Sequence, residues 1–198
     1  MNTLRTQRII TDPPIARFLF SDTRMALVWF ALRLYMGYDW IEAASHKITD
    51  PGWVETGKSL QAFWVKAAAV PAPPAKPAIS FDWYRGFLQF LIDTGSYTWF
   101  GKLIAFGELT IGIALIAGAF VGVAAVAGAF MNMNFMLAGS ASTNPILFLG
   151  AALLILAWKT AGYIGLDSIL LPALGTPWKP QTRAESLPRT GAPQPATL

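Results

Sequence analysis

Of 198 residues, 54% are hydrophobic and only 13% charged, and the mean hydropathy is +0.45, a balance that all but excludes a freely soluble domain. Fifteen Lys and Arg against eleven Asp and Glu leave a formal charge of +4, spread thinly enough to suit anionic lipid headgroups rather than a nucleic-acid groove. There is no cysteine, which excludes disulfides, thiolate metal sites, iron–sulfur clusters and cysteine nucleophiles within the chain.

Residues 1–24 read as a cytoplasmic N-terminal arm, too long and polar for the n-region of a signal peptide. Residues 25–45 are apolar enough to span a membrane despite Arg33, Asp39 and Glu42, and no A-x-A cleavage pattern follows them, so they predict a retained helix. The next stretch, 46–98, is too long for a simple connection and too patterned for a disordered one. Asp50-Pro51 is a helix start, and Leu60, Phe63, Trp64 and Ala67 keep helical spacing. PAPPAKP at 71–77 must break that helix, and a second one carries Tyr84, Phe87, Leu88 and Leu91 on one face and stops before Gly95. Two amphipathic helices therefore make an extracytoplasmic cap. Trp40, Trp53, Trp64, Trp83 and Trp99 fall in or beside it, either as an aromatic belt at the bilayer interface or as a roof over a ligand pocket, with Trp83 the candidate ligand contact.

From Trp99 to Ala138 the only charges are Lys102 and Glu108. At about 1.5 Å per residue this stretch is long enough for two crossings of a roughly 30 Å hydrocarbon core. It predicts a hairpin of spans, 99–117 and 122–138, turning where Gly118 and Gly122 flank Phe120. A fourth span, 145–164, starts at Asn144-Pro145 and passes Lys159, which can snorkel to the headgroups. Residues 176–198, rich in Pro, Thr and Arg, predict an extended tail. The fold class expected is all-α: an integral membrane four-helix bundle, 25–175, with its cap on the outer side. Lys and Arg near the spans are nearly balanced, and Arg5, Arg8, Arg183 and Arg189 in the tails tip both termini to the cytoplasm.

Ionisable residues inside a membrane are costly and need a partner or a task. Counting residues from the expected boundaries puts Arg33 about 12 Å and Glu108 about 15 Å from the inner side, close enough in depth to predict an ion pair between spans 1 and 2. Glu108 shares a stripe with Gly101, Ala105 and Gly112, small residues that let a neighbouring helix approach. Tyr35, Asp39, Glu42 and His46 follow i, i+4, i+7, i+11 and so lie along one line of the first helix. A phenol, two carboxylates and the chain's one histidine have the composition of a proton path, and equally that of a polar helix edge leaving the membrane. Asn132 and Asn134 point to different faces and must hydrogen-bond across helices, to water or to a ligand; Met131, Met133 and Met136 supply adaptable packing beside them. No metal-ligand spacing, phosphate loop or nucleophile elbow is present in the sequence.

The runs LRLYMGYDWIEAASHKITDPGW, FDWYRGFLQFLI, SYTWFGKLIAFGELTIGIALIAGAF, NMNFMLAGSASTNP and LAWKTAGYIGLD resemble the DoxX family of small four-helix membrane proteins, over roughly residues 25–178. That family takes its name from the DoxD-type membrane subunit of thiosulfate:quinone oxidoreductase. By match, Arg33, Glu42, His46, Glu108, Asn134 and Asn144 are the motif positions that the resemblance carries over. It implies the membrane subunit of a quinone-linked oxidoreductase. Asp39, Glu42 and His46 would move protons, and Arg33, Glu108, Asn132, Asn134 and Trp83 would line a quinone site. Electrons would come from a partner subunit or from a small anion such as thiosulfate. Membrane lipids, other subunits of a complex and a second copy of the chain are the partners in view. The competing expectation is a non-catalytic assembly subunit of a larger respiratory or photosynthetic complex, packed through small-residue faces and ordered tails.

Overall fold

A computed structural model of the chain describes residues 12–175, so the expected C-terminal tail and the first part of the N-terminal arm lie outside the described residues. Among the described residues all regular structure is helical, as the sequence predicts. A short α1 (Pro14–Ser21) and one turn of 3-10 helix lead into α2 (Ala26–Ile48). Three helices, α3 (Pro51–Val54), α4 (Lys58–Ala68) and α5 (Asp82–Asp93), form the cap, and α6 (Tyr97–Ala117), α7 (Val121–Leu137) and α8 (Asn144–Leu156) complete a bundle with α2. Two short helices, α9 (Trp158–Ala161) and α10 (Asp167–Ala173), close the described chain.

The local signals explain most boundaries. Asp50 accepts a hydrogen bond from the Gly52 amide at 2.8 Å with Pro51 in the first turn, so a helix does begin there. It lasts a single turn, however, and the cap has three helices where two are expected, because the chain turns at Gly57 before α4 resumes. The hairpin turn falls where the sequence puts it: Gly118 ends α6 in the left-handed region at φ 68° and Phe120 precedes α7 at φ 49°. The helix expected over 145–164 is cut short. Helix α8 stops at Leu156, and the Thr160 hydroxyl bonds back to the Ala157 carbonyl at 3.2 Å and to the Phe20 carbonyl of the α1 turn at 3.1 Å, holding the chain in a separate short α9. Helix α1 itself departs from the expected arm; Pro14 at its start and Ile15, Phe18 and Leu19 at helical spacing are the signal for it.

Helices α2 and α6 run antiparallel and meet at Gly37 and Gly112, where a Cβ on Gly112 would lie 2.9 Å from the Gly37 carbonyl oxygen and one on Gly37 3.0 Å from that of Gly112. This contact sets the register of the bundle. The bundle core takes Trp29, Met36 and Trp40 from α2, Ile111 and Leu115 from α6, Ala124 and Ala125 from α7, and Ala151 and Leu154 from α8. A second cluster joins Leu60 and Trp64 of α4 to Tyr84, Leu88 and Leu91 of α5, against Phe100 and Ile104 of α6 and Leu137 of α7. The cap is thus fastened to one end of the bundle. Phe87, expected on the inner face of α5, is exposed.

The outside of the bundle is apolar. Leu103, Phe106 and Ile113 of α6, Val123, Val126 and Phe130 of α7, and Ile146 and Leu149 of α8 are all exposed. Helix α6 is long and apolar enough to cross a membrane, and only 33% of its most apolar stretch is buried. Helices α7 and α8 are apolar but shorter, at 17 and 13 residues.

Candidate functional site

Two buried polar constellations stand at opposite ends of α2. At the end away from the cap, Arg33 is fully buried, and its Nη1 donates to the Leu115 carbonyl at 2.7 Å and its Nη2 to the Ile164 carbonyl at 2.6 Å. Asp167, also buried, is the carboxylate whose charge favours Arg33. It accepts the Phe120 amide at 2.6 Å and the Val121 amide at 2.9 Å, filling two of the donors that the start of α7 leaves open. The backbone closes around them, with the Leu166 amide on the Ala117 carbonyl at 3.1 Å and the Asp167 amide on the Gly118 carbonyl at 2.8 Å. A side chain at Gly118 would collide with the Arg33 guanidinium.

At the cap end, a cavity of about 390 Å³ opens between the bundle and helices α3 and α4. Asp39, Glu42 and Lys47 of α2, Glu108 of α6, Asn132 of α7 and Asn144 of α8 line it. Its apolar walls come from Trp40, Trp53, Phe63 and Phe135. Lys47 Nζ donates to Glu108 Oε2 at 2.7 Å and Oε1 at 3.0 Å, and it lies 5.4 Å from the centre of the Trp53 ring. Glu108 is 1% exposed, so this is a buried ion pair whose ammonium arrives along a side chain reaching down from the end of α2.

The expected pair of Arg33 with Glu108 is therefore corrected. With Gly37 opposite Gly112, Glu108 falls level with Ile41, eight residues or about 12 Å along α2 from Arg33. Arg33 takes backbone carbonyls and the field of Asp167, and Glu108 takes Lys47. The stripe of small residues is as read: Gly101, Ala105, Glu108 and Gly112 are all buried, with Gly101 packed under the Trp53 carbonyl of α3.

Of the expected proton ladder, Asp39, half-buried, and Glu42 line the cavity; Tyr35 and His46 do not. The His46 side chain is 78% exposed, with Nε2 3.7 Å from Glu42 Oε1. Of the expected ligand contacts, Asn132 and Glu108 line the cavity, while Arg33, Asn134 and Trp83 lie away from it. Asn134 bonds its own helix at the Phe130 carbonyl, 2.8 Å, and its backbone carbonyl accepts the Tyr84 hydroxyl at 2.9 Å. Burial pushes the Tyr84 phenol up to about 12, so it stays a donor. Trp83 is 66% exposed on the outer side of α5. Met133 and Met136 line a separate groove with Ala78 and Phe81. Asn144 donates to the Ser140 carbonyl at 3.0 Å, tying down the α7–α8 loop that rims the cavity.

Sequence reasoning missed Lys47 as a site residue, singled out Trp40 only as one of five tryptophans in a belt or roof, and missed Asp167. The first two were findable: Trp29, Arg33, Met36, Trp40 and Ala44 form the buried stripe of α2, and Lys47 continues its spacing. Asp167 has no comparable periodic signal. Among the described residues no group of three His, Asp or Glu side chains is placed to hold a metal ion. Compared with family models, with curated proteins and with solved structures, the chain gives no match.

Proposed function

We propose that the chain is a multi-pass membrane subunit of a quinone-linked oxidoreductase, with α2, α6, α7 and α8 as a four-helix bundle in the cell membrane, the cap outside and the termini in the cytoplasm. The observation that carries this reading is the cavity: one chamber combines aromatic walls with carboxylates on two helices, Asp39, Glu42 and Glu108. The apolar outer faces of α6, α7 and α8 support the membrane setting, since nothing but lipid or another apolar subunit satisfies so much exposed hydrocarbon. The resemblance of the FGELTIG and NFMLAGSASTNP runs to the DoxX family supports the quinone-linked chemistry.

A quinone held in such a chamber would supply two-electron, two-proton redox chemistry. The residues of this chain supply the setting. Trp40, Trp53, Phe63 and Phe135 offer flat apolar surface, and half-buried Asp39 and exposed Glu42 supply carboxylates between the chamber and solvent. Lys47 neutralises Glu108, which makes a carboxylate in the wall tolerable. Electrons would come from a partner subunit or from a small anion such as thiosulfate.

Quinone reduction by the assembled complex in membranes, compared across pH 5 to 9 for wild type, Asp39→Asn and His46→Ala, tests this reading. Asp39→Asn keeps the shape and loses the exchangeable proton, so turnover should fall by about 10²-fold or more with assembly intact. His46→Ala should be nearly silent, because His46 already stands in water. Unchanged turnover in Asp39→Asn, or a native complex containing this chain and no quinone, would favour the assembly-subunit alternative.

A further inference from the structure

Trp40 and Asn132 face the same cavity from opposite helices, 2% and 0% exposed respectively. Three of their polar atoms, Trp40 Nε1 and both Asn132 amide atoms, have no hydrogen-bond partner. The indole edge lies on α7 at Gly128, where a Cβ would be 3.4 Å from Nε1, and Gly128 is one turn before Asn132. The two residues thus border one patch of wall, with their unpaired atoms beneath its accessible surface. Each unpaired buried polar group costs about 1–3 kcal/mol, and of the five such atoms among the described residues three belong to this one pair of side chains. Trp29, buried on the same helix, donates its Nε1 to the Leu19 carbonyl at 3.0 Å.

The donor set selects a ligand. Two N–H donors are suited to the lone pairs of one carbonyl oxygen, and the Asn132 carbonyl to a hydroxyl proton. The charge of the chamber selects further: three carboxylates, Asp39, Glu42 and Glu108, face one ammonium, and Lys47 is already bonded to Glu108. A small oxyanion entering this chamber meets like charge and no free cation.

Resting on the reading of this cavity as the ligand site, we propose that Trp40 and Asn132 are the specificity-determining contacts for an uncharged oxo- or hydroxy-substituted aromatic ring, and that the carboxylate lining bars small oxyanions. An anionic electron donor such as thiosulfate therefore gives up its electrons outside this chamber.

The full-length chain in lipid nanodiscs, with equilibrium dialysis corrected against empty discs, provides the test. The probes are menadione, a neutral naphthoquinone, and thiosulfate. Trp40→Phe keeps an aromatic ring, though a smaller one, and removes the N–H; Asn132→Leu keeps the volume and removes both polar atoms. Menadione should bind the wild type, about 5-fold more weakly to Trp40→Phe and about 10-fold or more to Asn132→Leu. Asn132→Leu should keep or raise the Tm, because it removes a buried amide without a partner, and Trp40→Phe should lower it only modestly, the loss of buried ring volume being partly offset by removal of the unpaired N–H. Thiosulfate should neither bind nor compete at millimolar concentration, and the double variant Asp39→Asn/Glu108→Gln should admit it.

Menadione affinity within 2-fold of wild type in both variants, a wild type that does not bind menadione, or thiosulfate that competes with it would each overturn the inference. The two readings fail separately. Variant-sensitive menadione binding without quinone turnover in the assembled complex removes the oxidoreductase and keeps this site. Turnover combined with variant-insensitive binding does the reverse.

Discussion

Arg33 and Lys47 extend from the same buried stripe of α2, fourteen residues or about 21 Å apart, and their surroundings differ in kind. Around Arg33, two carbonyls, a buried carboxylate and the backbone of two turns close on one another, leaving only Nε among the guanidinium nitrogens without a partner. Around Lys47, a strong ion pair sits beside a chamber whose Trp40 and Asn132 atoms are unpaired. Both ends bury charge, and only one sets its unspent hydrogen-bonding capacity beside a cavity. Buried polar groups whose partners are protein hold a fold; unpaired ones that border a cavity are the ones placed to bind.

The sharpest way to break this comparison is at Arg33. Removing it leaves the Leu115 and Ile164 carbonyls without their donors and opens a cavity where three segments meet, so Arg33→Ala should cost about 3–5 kcal/mol, with loss of folded protein. Asp167→Asn should cost less, since an amide still offers one acceptor to the start of α7. Thermal unfolding in detergent measures both. A mild Arg33→Ala, with a Tm within a degree or two of wild type, would show that this end is not the structural clasp.

The amino-acid sequence made one end more legible than the other. Helix existence, the hairpin turn at Gly118, the Pro145 start of α8 and the stripe around Glu108 all follow from local rules, and the structure keeps them. The partner of Glu108 does not follow from such rules, because it depends on the register between α2 and α6, and register comes from the Gly37–Gly112 contact. Depth counted from expected membrane boundaries is uncertain by a turn or two. That was enough to choose Arg33, level with residue 116, over Lys47. Asp39, Glu42 and Asn132 were legible as polar residues in an apolar chain, whereas Trp40 looked like one more aromatic and its missing partner is visible only in three dimensions.

A double-mutant cycle at the other end should give a smaller number. Lys47→Met leaves Glu108 charged and alone, Glu108→Gln leaves Lys47 beside the aromatic rings, and the double variant removes the charges together. The coupling between the two should be about 1–3 kcal/mol. The cycle of Arg33→Ala with Glu108→Gln should be additive to within about 0.5 kcal/mol, because the two side chains share no partner. Coupling in the second cycle and none in the first would restore the pairing expected from depth alone.

The smallest expected effect lies where the cap meets α7. The Tyr84 hydroxyl donates to the Asn134 carbonyl at 2.9 Å, an oxygen that also accepts the Ala138 amide at 3.0 Å, so Tyr84→Phe orphans no acceptor and should cost only about 1 kcal/mol at neutral pH. The pH dependence is more telling than the cost. Burial raises the phenol in the folded chain from the ordinary 10.0 to about 12. Below pH 10 the folded and unfolded chains both hold the proton, and the contribution of Tyr84 is fully present. Between pH 10 and 12 the unfolded chain releases the proton and the folded one keeps it, so stability falls as pH rises, and above about 12 the folded phenol ionises too. Thermal unfolding at steps from pH 8 to 12 should show the wild type losing more stability than Tyr84→Phe over that window. Parallel curves would mean that the cap rests on the apolar contacts of Leu60, Trp64, Leu88 and Leu91 alone, and that its one polar fastening to α7 contributes nothing to holding the roof over the cavity.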